Sequence, residues 1–102
     1  MRVRRRVVVR GRVQGVGFRY ATVRAALGHG VTGFVRNLPD GTLEAQVEGA
    51  PEDVDEMLAF LRAGPPGAVV DAADVTSLPV RGGTGFAEAP SPDPHGWRPP
   101  HA

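Results

Sequence analysis

The sequence predicts an α+β domain in the order β-α-β-β-α-β, with two helices on one face of an antiparallel sheet. Three observations point to it: valine alternates with arginine over residues 2–13, a second alternating run over Thr42–Glu48 follows a Pro39-Asp-Gly41 turn, and Pro51–Arg62 carries a helical period. A chain of 102 residues has room for one such domain and little more.

In the first run Val3, Val7, Val9 and Val13 fall on one face with Gly11, and Arg2, Arg4, Arg6, Arg10 and Arg12 on the other; Arg5 and Val8 break the pattern. That is the period of a strand with one buried face. Gln14-Gly-Val-Gly17 is a glycine-rich turn. Phe18–Leu27, rich in alanine and followed by Gly28, reads as a short helix with a C-terminal glycine stop. Val31–Asn37 reads as a second strand and forms a hairpin with Thr42–Glu48, which places Leu43, Ala45 and Val47 inward and Glu44, Gln46 and Glu48 outward. Within Pro51–Arg62 the side chains Val54, Met57, Leu58 and Leu61 share a face, and proline followed by acids suits the start of a helix. Gly64-Pro-Pro-Gly67 ends that helix, Ala68–Leu78 is a fourth strand, and Thr84–Ala87 is a fragment of a fifth. The order is the split βαβ pattern of a ferredoxin-like α/β sandwich. The domain is expected to occupy residues 1–88. Residues 89–102, with alternate prolines and the lone Trp97, are expected to form a disordered tail.

Residues 1–39 hold nine arginines and no acid, whereas residues 40–102 hold three arginines and all eleven acids. The split suggests a basic surface for nucleic acid or membrane. The topology offers a plainer explanation: the first strand lies beside the third, so its outward arginines face Glu44 and Glu48, and such cross-strand pairs contribute roughly 0.2–1 kcal/mol each, exposed ones at the low end. Nucleic-acid modules on this fold display aromatics for base stacking on the open face. Here the outward positions of the first and third strands are Arg, Val, Thr, Glu and Gln.

Composition excludes several chemistries. Without cysteine there is no disulfide scaffold, thiolate zinc site or cysteine nucleophile. Without lysine there is no Walker-type loop and no Schiff-base chemistry. His29, His95 and His101 make a poor metal set, so no metal and no cofactor are expected. The N-terminus has only three consecutive apolar residues before Arg10, short of the roughly 7–15 of a secretory signal. No run approaches the roughly 18 of a membrane span. A soluble, cytoplasmic protein is expected, a monomer by default.

The segment that carries chemistry is Gly11-Arg-Val-Gln-Gly-Val-Gly-Phe-Arg19, between the first strand and the first helix. Gly15 and Gly17 let the backbone bend closely around a ligand, and the helix start offers unpaired amides and a positive dipole end. With Arg19, whose planar fork can hold two oxygens at once, the loop forms a cradle for a phosphate dianion. It is not the dinucleotide fingerprint, because Tyr20 stands where the third glycine would be. A tight turn with no ligand is the competing reading. Phe18 and Tyr20, beside Arg19, read as packing residues. The second element is Gly33-Phe-Val-Arg-Asn37, followed by Gly41 and Gly49. An asparagine ending a strand is commonly a turn former or cap, but its amide can also hold a water beside a phosphate without adding negative charge.

Together these two runs closely resemble the two signature motifs of acylphosphatases, over about residues 3–87. The resemblance implies a ferredoxin-like fold and hydrolysis of small-molecule acyl phosphates to carboxylate and inorganic phosphate without metal or cofactor. It assigns phosphate binding to Arg19 with the amides of Gln14, Gly15, Val16, Gly17 and Phe18, and water positioning to Asn37. The chemistry agrees: a carboxylate leaves readily, so positioning and charge stabilisation suffice, and the substrate phosphate can itself take the water's proton. The sequence departs from the family at Gly85-Phe-Ala-Glu88, which puts a glutamate where the last strand carries an apolar residue, so that strand is expected to be short. Two other readings compete: a phosphate-binding module without turnover, and a nucleic-acid-binding ferredoxin-like module.

Overall fold

A computed structural model of the chain describes residues 1–92. Of the expected tail, residues 93–102 lie outside the described residues, and His95, Trp97 and His101 with them. The elements are β1 (Val3–Arg12), α1 (Phe18–His29), β2 (Thr32–Asn37), β3 (Leu43–Gly49), α2 (Pro51–Ala63), β4 (Val69–Leu78) and β5 (Phe86–Glu88). They form one sheet in the order β4-β1-β3-β2-β5. No helix among the described residues is long and apolar enough to cross a membrane.

The inward valines of β1 behave as the alternation requires. Val7, Val9 and Val13 are buried with Leu43, Ala45 and Val47 of β3, Val35 of β2, and Val54, Met57, Leu58 and Leu61 of α2. The first helix contributes Phe18, Thr22 and Ala26, one residue per turn, and Phe18 meets Phe60 edge-to-face with ring centroids 6.1 Å apart. It runs past Gly28 and stops at Gly30, whose left-handed backbone lets its N–H bond the Ala26 carbonyl. Gly28 inside the helix costs only about 1 kcal/mol against alanine, too little to end it.

The sheet is mixed, not wholly antiparallel. β1 pairs antiparallel with β3 and β4, and β2 antiparallel with β3; β5 runs parallel to β2. The reason lies in the connection. β4 ends at the end of the sheet where β2 begins, and residues 79–85 cross there to the far edge, so the chain enters β5 in the direction of β2.

The outward charges also depart from expectation. They pair, but the glutamates are not exposed: the Glu44 and Glu48 side chains are 2% and 0% accessible. Arg6 and Arg36 converge on Glu44. Arg4, itself 3% exposed, and Arg2 reach Glu48, which also accepts N–H bonds of 2.8 Å from both Arg81 and Gly82. Long guanidinium stems and the crossing segment thus roof the outer face.

The Arg81 N–H holds the Glu48 carboxyl down to about 2 against the opposing effect of burial, helped by Gly82, Arg4 and Arg2. At Glu44 burial, which alone would raise the value, is outweighed by hydrogen bonds from Arg36 and Arg6. Depressed carboxyls stabilise the fold fully above their unfolded value near 4.5 and lose that contribution as pH falls towards the folded value. Thermal melts between pH 6 and pH 2 should therefore show Tm falling chiefly below about pH 4.5. Glu48→Gln should melt lower than wild type at neutral pH and fall less steeply on acidification; parallel pH profiles would contradict the assignment.

Candidate active site

At the end of β1 the buried Val13 anchors a bend that carries the chain into α1. Gly15 and Gly17 take φ of 74° and 77°, a left-handed conformation that side chains resist. Neither is forced by crowding, since a Cβ at either position would meet nothing within 4 Å. The two glycines shape the loop and leave the space beside it open. Gly17 caps α1 without a side-chain hydrogen bond. The first loop or helix amide with a backbone partner among the described residues is that of Ala21, which donates to the Gly17 carbonyl at 3.0 Å. The amides before it are the usual unpaired donors of a helix start, and no acid stands in the first turn to take them.

Phe18, buried, pins the helix start, and Arg19 follows with its side chain 44% exposed. Tyr20 does not pack as expected: it is 61% exposed, with the Arg24 guanidinium 5.8 Å above its ring. Packing fell to Phe18 alone because successive residues of a helix face different ways.

Asn37 closes β2 opposite Leu43. Its Oδ1 is buried and has no hydrogen-bond partner among the described residues. A buried acceptor left unpaired costs about 1–3 kcal/mol, a cost that structure alone does not explain and that a bound water would remove. Gly15, Gly17, Phe18, Arg19 and Asn37 line one cavity of about 110 Å³, with Val13, Tyr20 and Glu88 completing its wall. The structure thus brings together the glycines, Arg19 and Asn37.

Two side chains at this site have roles that the sequence did not disclose. Gln14, read only for its backbone amide, donates Nε2 hydrogens to the carbonyls of Leu38 at 2.9 Å and Thr42 at 3.0 Å. It thereby ties the loop to the β2–β3 turn and fixes Asn37 relative to the glycines. That turn is further held by Asp40, which accepts from the Thr42 hydroxyl at 2.6 Å and the Thr42 N–H at 3.0 Å; the hydroxyl, then the N–H, keeps the Asp40 carboxyl below its ordinary value. Glu88, read as a defect in the last strand, stands with its Oε1 3.6 Å from the Arg19 Nε. Parallel pairing sets Glu88 opposite Val35, next to the strand end that carries Asn37.

A larger recess of about 310 Å³ lies near the other end of the sheet, against Arg4, Thr32 and residues 81–85. Several of its donors are already engaged: Arg4 is bound to Gln46 and Glu48, and the amides of Arg81 and Gly82 to Glu48. The smaller cavity is the one that joins the glycine loop and helix start to Arg19 and Asn37. Among the described residues no three His, Cys, Asp or Glu side chains gather as a metal site would require, and His29 is the last residue of α1.

The profile of the Acylphosphatase family matches residues 5–87. A protein named Acylphosphatase from Bordetella parapertussis is 61% identical over 64 residues, 63% of this chain and 68% of that one. Another of that name from Trichormus variabilis is 54% identical over 84 residues, 82% of this chain and 83% of that one. Among solved structures, an acylphosphatase from Bacillus subtilis superposes with a TM-score of 0.83 at 32% identity, over 85% of this chain and 98% of that one.

Proposed function

This chain belongs to the acylphosphatase family and hydrolyses the carboxyl-phosphate bond of acyl phosphates, and from that premise we propose how its residues divide the work. The amides of Gln14, Gly15, Val16, Gly17 and Phe18 and the Arg19 guanidinium bind the phosphate; Asn37 holds the attacking water. The observation that carries this reading is the convergence on one cavity of open glycines, an arginine and a buried amide oxygen with no partner among the described residues.

The loop amides and the positive end of α1 meet the phosphate oxygens, and Arg19 adds charge-assisted hydrogen bonds in a fixed fork. The Asn37 Oδ1 accepts a hydrogen from water and turns a lone pair towards phosphorus. The water oxygen bonds to phosphorus, the bridging P–O bond breaks, and its electron pair leaves with the carboxylate. Both water protons end on the phosphate, so no protein side chain need act as base. Rate comes from orientation and from charges already in place.

The same reading makes residues 1–88 the catalytic domain, with 89–102 outside it, and describes a cytoplasmic monomer acting on free small molecules. The outer-face arginines spent on Glu44 and Glu48 support a small-molecule substrate over a nucleic acid. Hydrolysis of benzoyl phosphate in EDTA tests the function. Benzoate and inorganic phosphate should appear in equal amounts at a rate that EDTA does not lower. Loss of activity to EDTA would contradict the metal-free mechanism, and phosphate binding without turnover would identify a binding module.

A further inference from the structure

Glu88 places a carboxylate inside the cavity assigned to the substrate's phosphate. Its backbone is fixed, because β5 pairs with β2, the Ala89 N–H donates to the Val35 carbonyl at 2.8 Å, and Phe86 on the same strand is buried. Its side chain is not fixed. The contact with the Arg19 Nε is 3.6 Å, longer than a hydrogen bond, and both side chains are 44% exposed.

The same molecule shows how a carboxylate that supports arginines is built. Glu44 and Glu48 are buried and hydrogen-bonded to the guanidinium groups they hold. Glu88 has neither property. A loose, exposed ion pair contributes little to order, but a negative charge lining the cavity acts on any dianion that enters it.

We propose that Glu88 is a built-in competitor for the phosphate: in the substrate-free enzyme its carboxylate pairs with Arg19, and the phosphate must displace it to bind. The inference rests on Arg19 being the phosphate-binding arginine. Substrate and product carry the same phosphate group and meet the same competitor, so Glu88 weakens both alike. Such a uniform effect changes KM and the inhibition constant of inorganic phosphate, not kcat. The ratio of KM to the inhibition constant is unchanged, so the consequence is that both substrate and product occupy the site only at higher concentration.

The test is benzoyl phosphate kinetics with inorganic phosphate as inhibitor, for wild type, Glu88→Gln, Glu88→Ala and Arg19→Ala, with Tm recorded for each. In both Glu88 variants the inhibition constant and KM should fall together by about three- to tenfold while kcat moves less than about twofold. The advantage over wild type should shrink as salt is added. A supporting role would raise KM and lower kcat instead. An unchanged or raised inhibition constant in Glu88→Gln, with Arg19→Ala no longer binding phosphate, overturns the role of Glu88 alone. If Arg19→Ala binds phosphate as wild type does, the assignment of Arg19 falls and this inference with it.

Discussion

Arg19→Ala should lower kcat/KM for an acyl phosphate by at least on the order of 10²–10³, the loss that follows removal of one principal electrostatic donor from such a site. Both binding and turnover should suffer. In the proposed mechanism the guanidinium meets charge already present on the bound phosphate and charge that spreads over its oxygens as the P–O bond lengthens. Folding should be spared: the side chain is 44% exposed and its one ion pair among the described residues, with Glu88, is long, so the change belongs with surface substitutions that move stability by about 0.5 kcal/mol or less. Arg19→Lys should recover little, since an ammonium supplies one point charge where the fork supplies two parallel donors. Steady-state kinetics beside a thermal melt separates these effects. A variant with normal Tm and kcat/KM within about threefold of wild type would remove Arg19 from the site.

Asn37→Ala should show the complementary defect, with kcat lower by about 10²-fold and KM little changed. In the proposed mechanism the amide touches the water, not the phosphate, so its loss falls on the transition state. The variant should melt no lower than wild type, because alanine removes a buried acceptor that has no partner among the described residues. Activity lost while stability holds would mark Asn37 as a residue kept for chemistry. Asn37→Asp should fail differently, raising KM by setting a carboxylate beside the phosphate.

Much of this was legible in the sequence. The valine and arginine alternation of β1 and the helical period of α2 give their buried faces directly, because burial follows the period. α1 was read from alanine content and its flanking glycines, since only Phe18, Thr22 and Ala26 are buried; the choice of Gly30 over Gly28 as the stop depends on φ, which residue type does not reveal. For Glu44 and Glu48 alternation says outward, and outward proved different from exposed once arginines and residues 81–82 lay over them. The direction of β5 depends on which end of the sheet the crossing segment takes. Glycines at 82, 83 and 85 mark that segment only as a loop.

At the site, Gly15, Gly17, Arg19 and Asn37 stand out as candidates by type, and the resemblance to the acylphosphatase motifs is what joins them into one site. The Gln14 side chain and Glu88 do not, because each acts through a contact with a distant part of the chain. Gln14 matters through carbonyls of the β2–β3 turn, and Glu88 through a strand whose pairing could not be read locally.

The proposed mechanism divides the labour, with phosphate held by Arg19 and the loop amides and water held by Asn37. Calorimetric titration of inorganic phosphate into wild type, Arg19→Ala and Asn37→Ala tests it most directly. Wild type and Asn37→Ala should bind phosphate with similar affinity, and Arg19→Ala should show no measurable binding. Phosphate binding retained by Arg19→Ala, or lost from a folded Asn37→Ala, would contradict that division.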